Sequence, residues 1–149
     1  MNDPIVRSIF LMHLASTLFM AGLIWFVQVV HYPLYSQVGT AEFAKYEQRH
    51  NAVTTWVVAP PMFIELGTAV LLLWFRPAGL TSLPCVIGIG LVGVNWLSTM
   101  FLQVPCHELL TQAFDPVVHQ KLVSTNWIRT AAWSLRGILI LWMASSTLK

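Results

Sequence analysis

Residues Ser82–Val104 read SLPCVIGIGLVGVNWLSTMFLQV, an apolar run without one Asp, Glu, Lys, Arg or His. At 1.5 Å per residue a helix of this length crosses about 30 Å of hydrocarbon, so the run predicts a transmembrane helix. Pro84 suits its first turn and Pro105 closes it. Working outward, Ser8–Val30, Asn51–Phe75 and Asn126–Ser146 are apolar runs of similar reach. Composition agrees, because apolar residues make up 56% and charged residues 9% of the chain, against about 25% charged in an average soluble domain. Mean hydropathy is +0.68. The 149 residues therefore predict one all-α domain, a four-transmembrane-helix bundle surrounded by the lipid bilayer. A multi-pass protein of a bacterial inner membrane is the expected setting.

The connections are unequal. Arg76-Pro77-Ala78-Gly79 turns sharply between the second and third runs, whereas Tyr32–His50 and Cys106–Thr125 on the other side are longer. In Thr40–His50 apolar residues recur at helical spacing, which predicts a short interfacial helix capping that side, separate from a span beginning near Asn51. Pro60-Pro61 predicts a kink within that span, since a helix beginning only at the prolines would be too short to cross alone. The first run exceeds the apolar core of a secretory signal and ends in Val29-Val30-His31-Tyr32-Pro33 rather than a small-residue cleavage site, so it reads as a retained helix. Positive charges near the spans divide evenly between the two sides and leave orientation open. A net charge of +2 without any basic patch excludes nucleic acid as a partner. Cys85 and Cys106 bracket the third run, roughly 30 Å apart along a helix, too far to form a disulfide with each other.

Ionised groups inside apolar spans are costly and face the protein interior, where they pair or serve a pathway. Here they are Glu65, Arg129 and Arg136. Each lies on a stripe of polar residues at helical spacing: Asn126, Arg129, Trp133 and Arg136 in the fourth run, and His50, Thr54, Pro61, Glu65 and Thr68 in the second. His13, Thr17, Gln28 and His31 share a face of the first, while Asn95, Thr99 and Gln103 succeed one another at intervals of four in the third. Counted from the chain-termini side, Glu65, Arg136 and Asn95 fall at roughly 15 to 20 Å, one layer. Arg129, Gln28, His31, Gln103 and then His50 and His107 lie above it. The stripes predict a polar column opening toward one membrane face, with Glu65, Asn126, Arg136, Gln103, Gln28 and Trp133 as candidate binding residues.

Two readings of the column stand side by side. Glu65 and Arg136 neutralise each other and lock the bundle; or the second cation, Arg129, with several imidazoles, exceeds what one carboxylate requires and suits an anionic, phenolic or quinone-like ligand. Histidine is also the residue that binds metals and moves protons near neutral pH. His31, His50 and His107 are candidates for a single mononuclear transition-metal site; Glu47-x-x-His50 is the lone Glu-x-x-His pair, half of what a diiron bundle needs. The cofactor stays open: none, a single transition metal, or a haem flanked by two histidines. Hydrolase and nucleotide-binding fingerprints are lacking. Four spans leave little room for alternating access unless copies associate as a homo-oligomer.

Pro105-Cys-His107-Glu-Leu-Leu110 and Asn126-Trp-Ile-Arg129-Thr130, read as Pro-x-His-x-x-Leu and Asn-x-x-Arg-Thr, resemble the small four-helix membrane proteins of the anthrone-oxygenase-like group. Pro33 matches in position. The resemblance implies oxidation of an activated carbon of a lipophilic aromatic molecule by dioxygen without a bound cofactor, with His107, Asn126 and Arg129 lining the site. The chain departs from the pattern at His107, where an asparagine is expected, and at His31-Tyr32 before Pro33. In this scheme His107 or His31 removes a substrate proton and Arg129 stabilises the anion. The competing expectation is a non-catalytic protein that binds lipid or quinone, or a small subunit of a membrane complex; it predicts a column closed by mutual pairing, with no cavity.

Overall fold

The computed structural model describes residues 3–147. Helix α1 spans Pro4–Phe26, α2 Thr40–Leu71, α3 Ser82–Ser98, α4 Val104–Leu110 and α5 Pro116–Thr147, and no strand occurs among the described residues. Aspartates start two of these helices. Asp3 Oδ1 accepts from Ile5 N at 2.8 Å, and Asp115 Oδ1 from Val117 N at 2.7 Å, each satisfying a first-turn N–H that has no partner within the helix. Gly79, with φ of +86°, makes the tight turn between α2 and α3 in the left-handed region that only glycine adopts freely.

Two expectations are corrected. The interfacial helix and the second span are one continuous helix, α2, of 32 residues, or about 48 Å. The fourth helix likewise begins at Pro116, not near Asn126, and also runs 32 residues. Both stand well beyond a hydrocarbon layer of about 30 Å, so the cap is built from extensions of the bundle helices. The chain passes Pro60-Pro61 without leaving the helix; the prolines withhold hydrogen bonds from the carbonyls of Trp56 and Val57 on the exposed side.

Neither α1 nor α3 ends simply. Each passes into a π-helical turn, Val27–His31 and Thr99–Gln103, in which Tyr32 N reaches Val27 O and Val104 N reaches Thr99 O. A proline comes after each turn, at Pro33 and Pro105. With no N–H to continue the ladder, the preceding amide bonds one residue further back, and the extra residue rotates the next stretch of chain about the helix axis. A 3₁₀ turn, Pro33–Gln37, completes the first connection.

In the four-membered ring of long helices, α1 packs on α2 and α5, and α3 packs on α5; the α2–α3 seam is the most sparsely packed. Three apolar clusters stack along the axis. Ile9, Phe10, Leu72, Ile140 and Met143 fill the end near the chain termini, Met20, Ile24, Met62 and Trp133 the middle, and Tyr32, Tyr35, Phe43, Leu110 and Leu122 the cap. Polar side chains lie between these clusters, while Trp25, Phe63, Leu97, Phe101, Ile138 and Leu141 are exposed. This is the reverse of a water-soluble distribution. Three helical stretches, Pro4–Gln37, Thr40–Leu71 and Ser82–Leu110, are long and apolar enough to cross a membrane. Helix α5 is outside that set because Arg129 and Arg136 lower its hydropathy, yet both arginines are buried and its outward face carries Ile128, Leu135, Ile138 and Leu141. Cys85 and Cys106 are free thiols in different clusters.

Candidate functional site: an open upper layer above a closed one

The polar stripes do converge, but they separate into layers of different character. In the lower one, Glu65 Oε1 accepts from Arg136 Nε at 2.8 Å and Oε2 from Trp133 Nε1 at 3.0 Å. Arg136 Nη1 donates to the carbonyl of Gly88, and Nη2 to Thr17 Oγ1 at 3.3 Å and His13 Nε2 at 3.4 Å. With Nε2 accepting, His13 donates from Nδ1 to Thr68 Oγ1 at 2.8 Å, and that hydroxyl donates to Ile64 O at 2.6 Å. Glu65, Arg136 and Trp133 are all at most 2% exposed. Their donors and acceptors answer one another, so these residues tie all four long helices together. Asn95, expected in this layer, is buried with neither side-chain atom partnered.

A middle set of amides also bridges helices. Gln28 Oε1 accepts from Asn126 Nδ2 at 2.8 Å and Thr130 Oγ1 at 3.3 Å, while Gln28 Nε2 donates to Val123 O at 3.1 Å. Gln103 Nε2 donates to Thr125 Oγ1 at 3.2 Å, and its Oε1 accepts from Ser98 at 2.9 Å. Both glutamines lie on the π turns, which aim them inward. Of these candidate binding residues, Gln103 reaches a cavity; Gln28 and Asn126 do not.

The upper layer is open. A cavity of about 420 Å³ lies along the loose α2–α3 seam. Its polar end is formed by Tyr32, His50, Gln103, His107 and Arg129, and its apolar wall by Val58, Met62, Phe63 and Trp96. Arg129 is 6% exposed and its guanidinium lies over the Trp133 ring, 5.3 Å from the centroid. No carboxylate pairs with it among the described residues, and its Nε has no partner. It does not snorkel to the surface. The buried guanidinium thus faces the cavity with the Trp133 ring and the Tyr32 hydroxyl beside it.

Around the cavity's cap end the histidines meet. His107 Nδ1 lies 2.5 Å from Glu47 Oε1, and its Nε2 2.9 Å from the Tyr32 hydroxyl. His31 Nε2 is 3.1 Å from His50 Nδ1, which also contacts Thr54 Oγ1 at 3.0 Å. The shared His31–His50 contact needs one nitrogen with a hydrogen and one without, so the two rings are not both doubly protonated. His31 stands behind His50 and does not line the cavity. Tyr35 packs edge-on against His31 and His50, with centroids 5.3 Å and 5.5 Å away, and its hydroxyl is buried without a partner. His119 Nε2 donates to the Tyr32 carbonyl at 2.8 Å and holds the first connection to α5.

Of the predicted trio His31, His50 and His107, the last two stand together with Glu47, whereas His31 lies outside that group and contacts His50 from its far side. Ligand atoms of Glu47, His50 and His107 all lie within 4.8 Å of one another. The Glu-x-x-His spacing was the one signal for Glu47; its partner comes from α4, remote in sequence. Tyr32 as a cavity wall carried no such signal, because the π turn before it depends on the proline that follows. Searches against protein-family models, curated proteins and solved structures find no match for this chain.

Proposed function

We propose that this chain is an integral membrane oxidoreductase of the bacterial inner membrane that takes a lipophilic aromatic molecule bearing an acidic oxygen into the α2–α3 cavity and oxidises it with dioxygen. The observation that carries this reading is the buried Arg129 guanidinium, with no carboxylate paired to it among the described residues, at the polar end of a cavity whose wall also offers Val58, Met62, Phe63 and Trp96 to an aromatic ring. A phenolate or enolate oxygen satisfies it with a charge-assisted bond, and the ring lies against Trp96 and Met62. The proton leaves toward the imidazole cluster, with Glu47 on His107 and His31 on His50 available to share it. The activated carbon then reacts with dioxygen, so that a CH2 group and O2 become C=O and H2O without a further reductant. The resemblance of Pro105–Leu110 and Asn126–Thr130 to the anthrone-oxygenase-like group supports the same chemistry.

The same cavity supports a second reading, a protein that holds a lipid or quinone without turnover. A hydroxylated anthrone offered to the protein in lipid nanodiscs separates them, with binding followed by quenching of tryptophan fluorescence and turnover by oxygen uptake. Oxygenase action predicts both signals, and about a 10- to 100-fold weaker binding in Arg129→Ala, from the loss of one charge-assisted contact. Binding without oxygen uptake selects the carrier. Unchanged binding and uptake in both Arg129→Ala and His107→Ala removes the proposal.

A further inference from the structure

Glu47 is fully buried, yet one of its oxygens, Oε2, has no hydrogen-bond partner. A buried carboxylate is stable only when its lone pairs are met by donors or by a cation. Arg129 is not paired with it. Beside it stand the buried Tyr35 hydroxyl and two imidazoles: His50, one helical turn along α2 on the same face, and His107, from α4 across the cap. We propose that Glu47, His50 and His107 bind one divalent transition-metal ion of the iron–zinc class at the polar end of the cavity.

Two neutral imidazoles and one carboxylate, three protein ligands with further positions open, match the donor set of mononuclear non-haem iron and catalytic zinc sites; all-oxygen calcium and magnesium sites are built otherwise. Bonds of about 2.0–2.2 Å place ligand atoms roughly 3 to 3.5 Å apart. The present separations bracket that spacing, since Glu47 and His107 approach to 2.5 Å and the group as a whole lies within 4.8 Å. Binding replaces the hydrogen that Glu47 and His107 share and needs only side-chain movement. The outer contacts are also in place, with the Tyr32 hydroxyl on His107 Nε2 and His31 Nε2 on His50 Nδ1. Such partners fix the orientation of ligating imidazoles. His50 and His107 both line the cavity, so the open positions of the ion face the space that Arg129 also faces.

The site stands on its own geometry; only the ion's contact with a cavity ligand rests on the reading above. A loaded site occupies Glu47, His50 and His107, so metal binding and proton uptake by these groups exclude each other. The test uses untagged, detergent-purified full-length protein, stripped with chelator and titrated anaerobically with Fe(II), Co(II) and Zn(II). One ion per chain is expected, with a Co(II) visible spectrum. Glu47→Gln and His107→Ala lower affinity by at least 100-fold, and His31→Ala by 10- to 100-fold through its outer contact. Arg129→Ala keeps full loading. Should the loss variants misfold, His50→Cys gives the positive signature of a thiolate-to-Co(II) charge-transfer band. The proposal is overturned by wild-type protein that fails to reach stoichiometric binding with any of the three ions, by Glu47→Gln with wild-type affinity, or by a folded His50→Cys protein without that band. Stoichiometric metal without oxygen uptake leaves this site standing and removes the oxygenase; Arg129-dependent uptake in protein that loads none of the three ions does the reverse.

Discussion

Arg136 and Glu65 offer the sharpest test of how the two layers divide the labour. Arg136→Met leaves the Glu65 carboxylate buried with Trp133 Nε1 as its one remaining side-chain donor, a loss of about 3–5 kcal/mol for an uncompensated charge. Glu65→Leu strands the guanidinium, but the Gly88 carbonyl, Thr17 and His13 remain around it, so about 2–4 kcal/mol is expected. In the double variant no charge is left. The residual penalty comes from unpaired neutral groups, Trp133 Nε1 and the Thr17 hydroxyl foremost, at about 1 kcal/mol each, or about 2–3 kcal/mol in total. The two single changes therefore sum to about 5–9 kcal/mol and the double variant falls short of that sum by several kcal/mol, a strong coupling. The assay is reversible unfolding in mixed micelles, monitored by circular dichroism. Because neither side chain lines the α2–α3 cavity, the folded double variant keeps ligand binding and metal loading. Additive single effects, or a well-folded double variant that has lost the ligand, would refute the assignment of this layer to structure.

Arg129 behaves in the opposite way: with no counter-ion to strand among the described residues, Arg129→Met leaves the unfolding free energy unchanged or raises it by about 1 kcal/mol, measured in the same micelles. Ala59→Trp, on the cavity wall, fills the space from the α2 side and weakens binding of the anthrone probe at least 10-fold, read by competition, while the chain stays folded. Metal loading falls as pH is lowered and rises as it is raised, because protons compete with the ion for His50, His107 and Glu47; a loading curve flat between pH 5 and 8 contradicts imidazole ligands. Pro105→Ala restores an amide donor after the Thr99–Gln103 π turn, relaxing it toward α-helix and turning His107 away from Glu47, so that Co(II) affinity drops while far-ultraviolet circular dichroism is unchanged.

The four-helix architecture and the buried polar stripes were legible from residue order because both rest on local periodicity. Lipid demands apolar outer faces, and a helix repeats every 3.6 residues, so Asn126, Arg129, Trp133 and Arg136 had to share one side. The lengths of α2 and α5 were not legible. A drop in hydropathy at Thr40–His50 and at Pro116–Thr125 reads as a break, whereas the backbone continues because the cap offers those turns a core of Tyr35, Phe43, Leu110 and Leu122.

Composition and spacing by themselves determined that this is an all-α chain with apolar spans and ionised groups inside them, since the energies of hydrocarbon and helix act residue by residue. Only the tertiary structure decided which ionised groups are spent and which are free. Glu65 and Arg136 close on each other through a layer of helix contacts, while Arg129, on the same stripe, meets the loose α2–α3 seam and pairs with no carboxylate among the described residues. Glu47 gains its importance from His107, 60 residues away, brought to it by the fold of α4 against α2. Pairing depends on distances between helices, which no periodicity within one helix encodes.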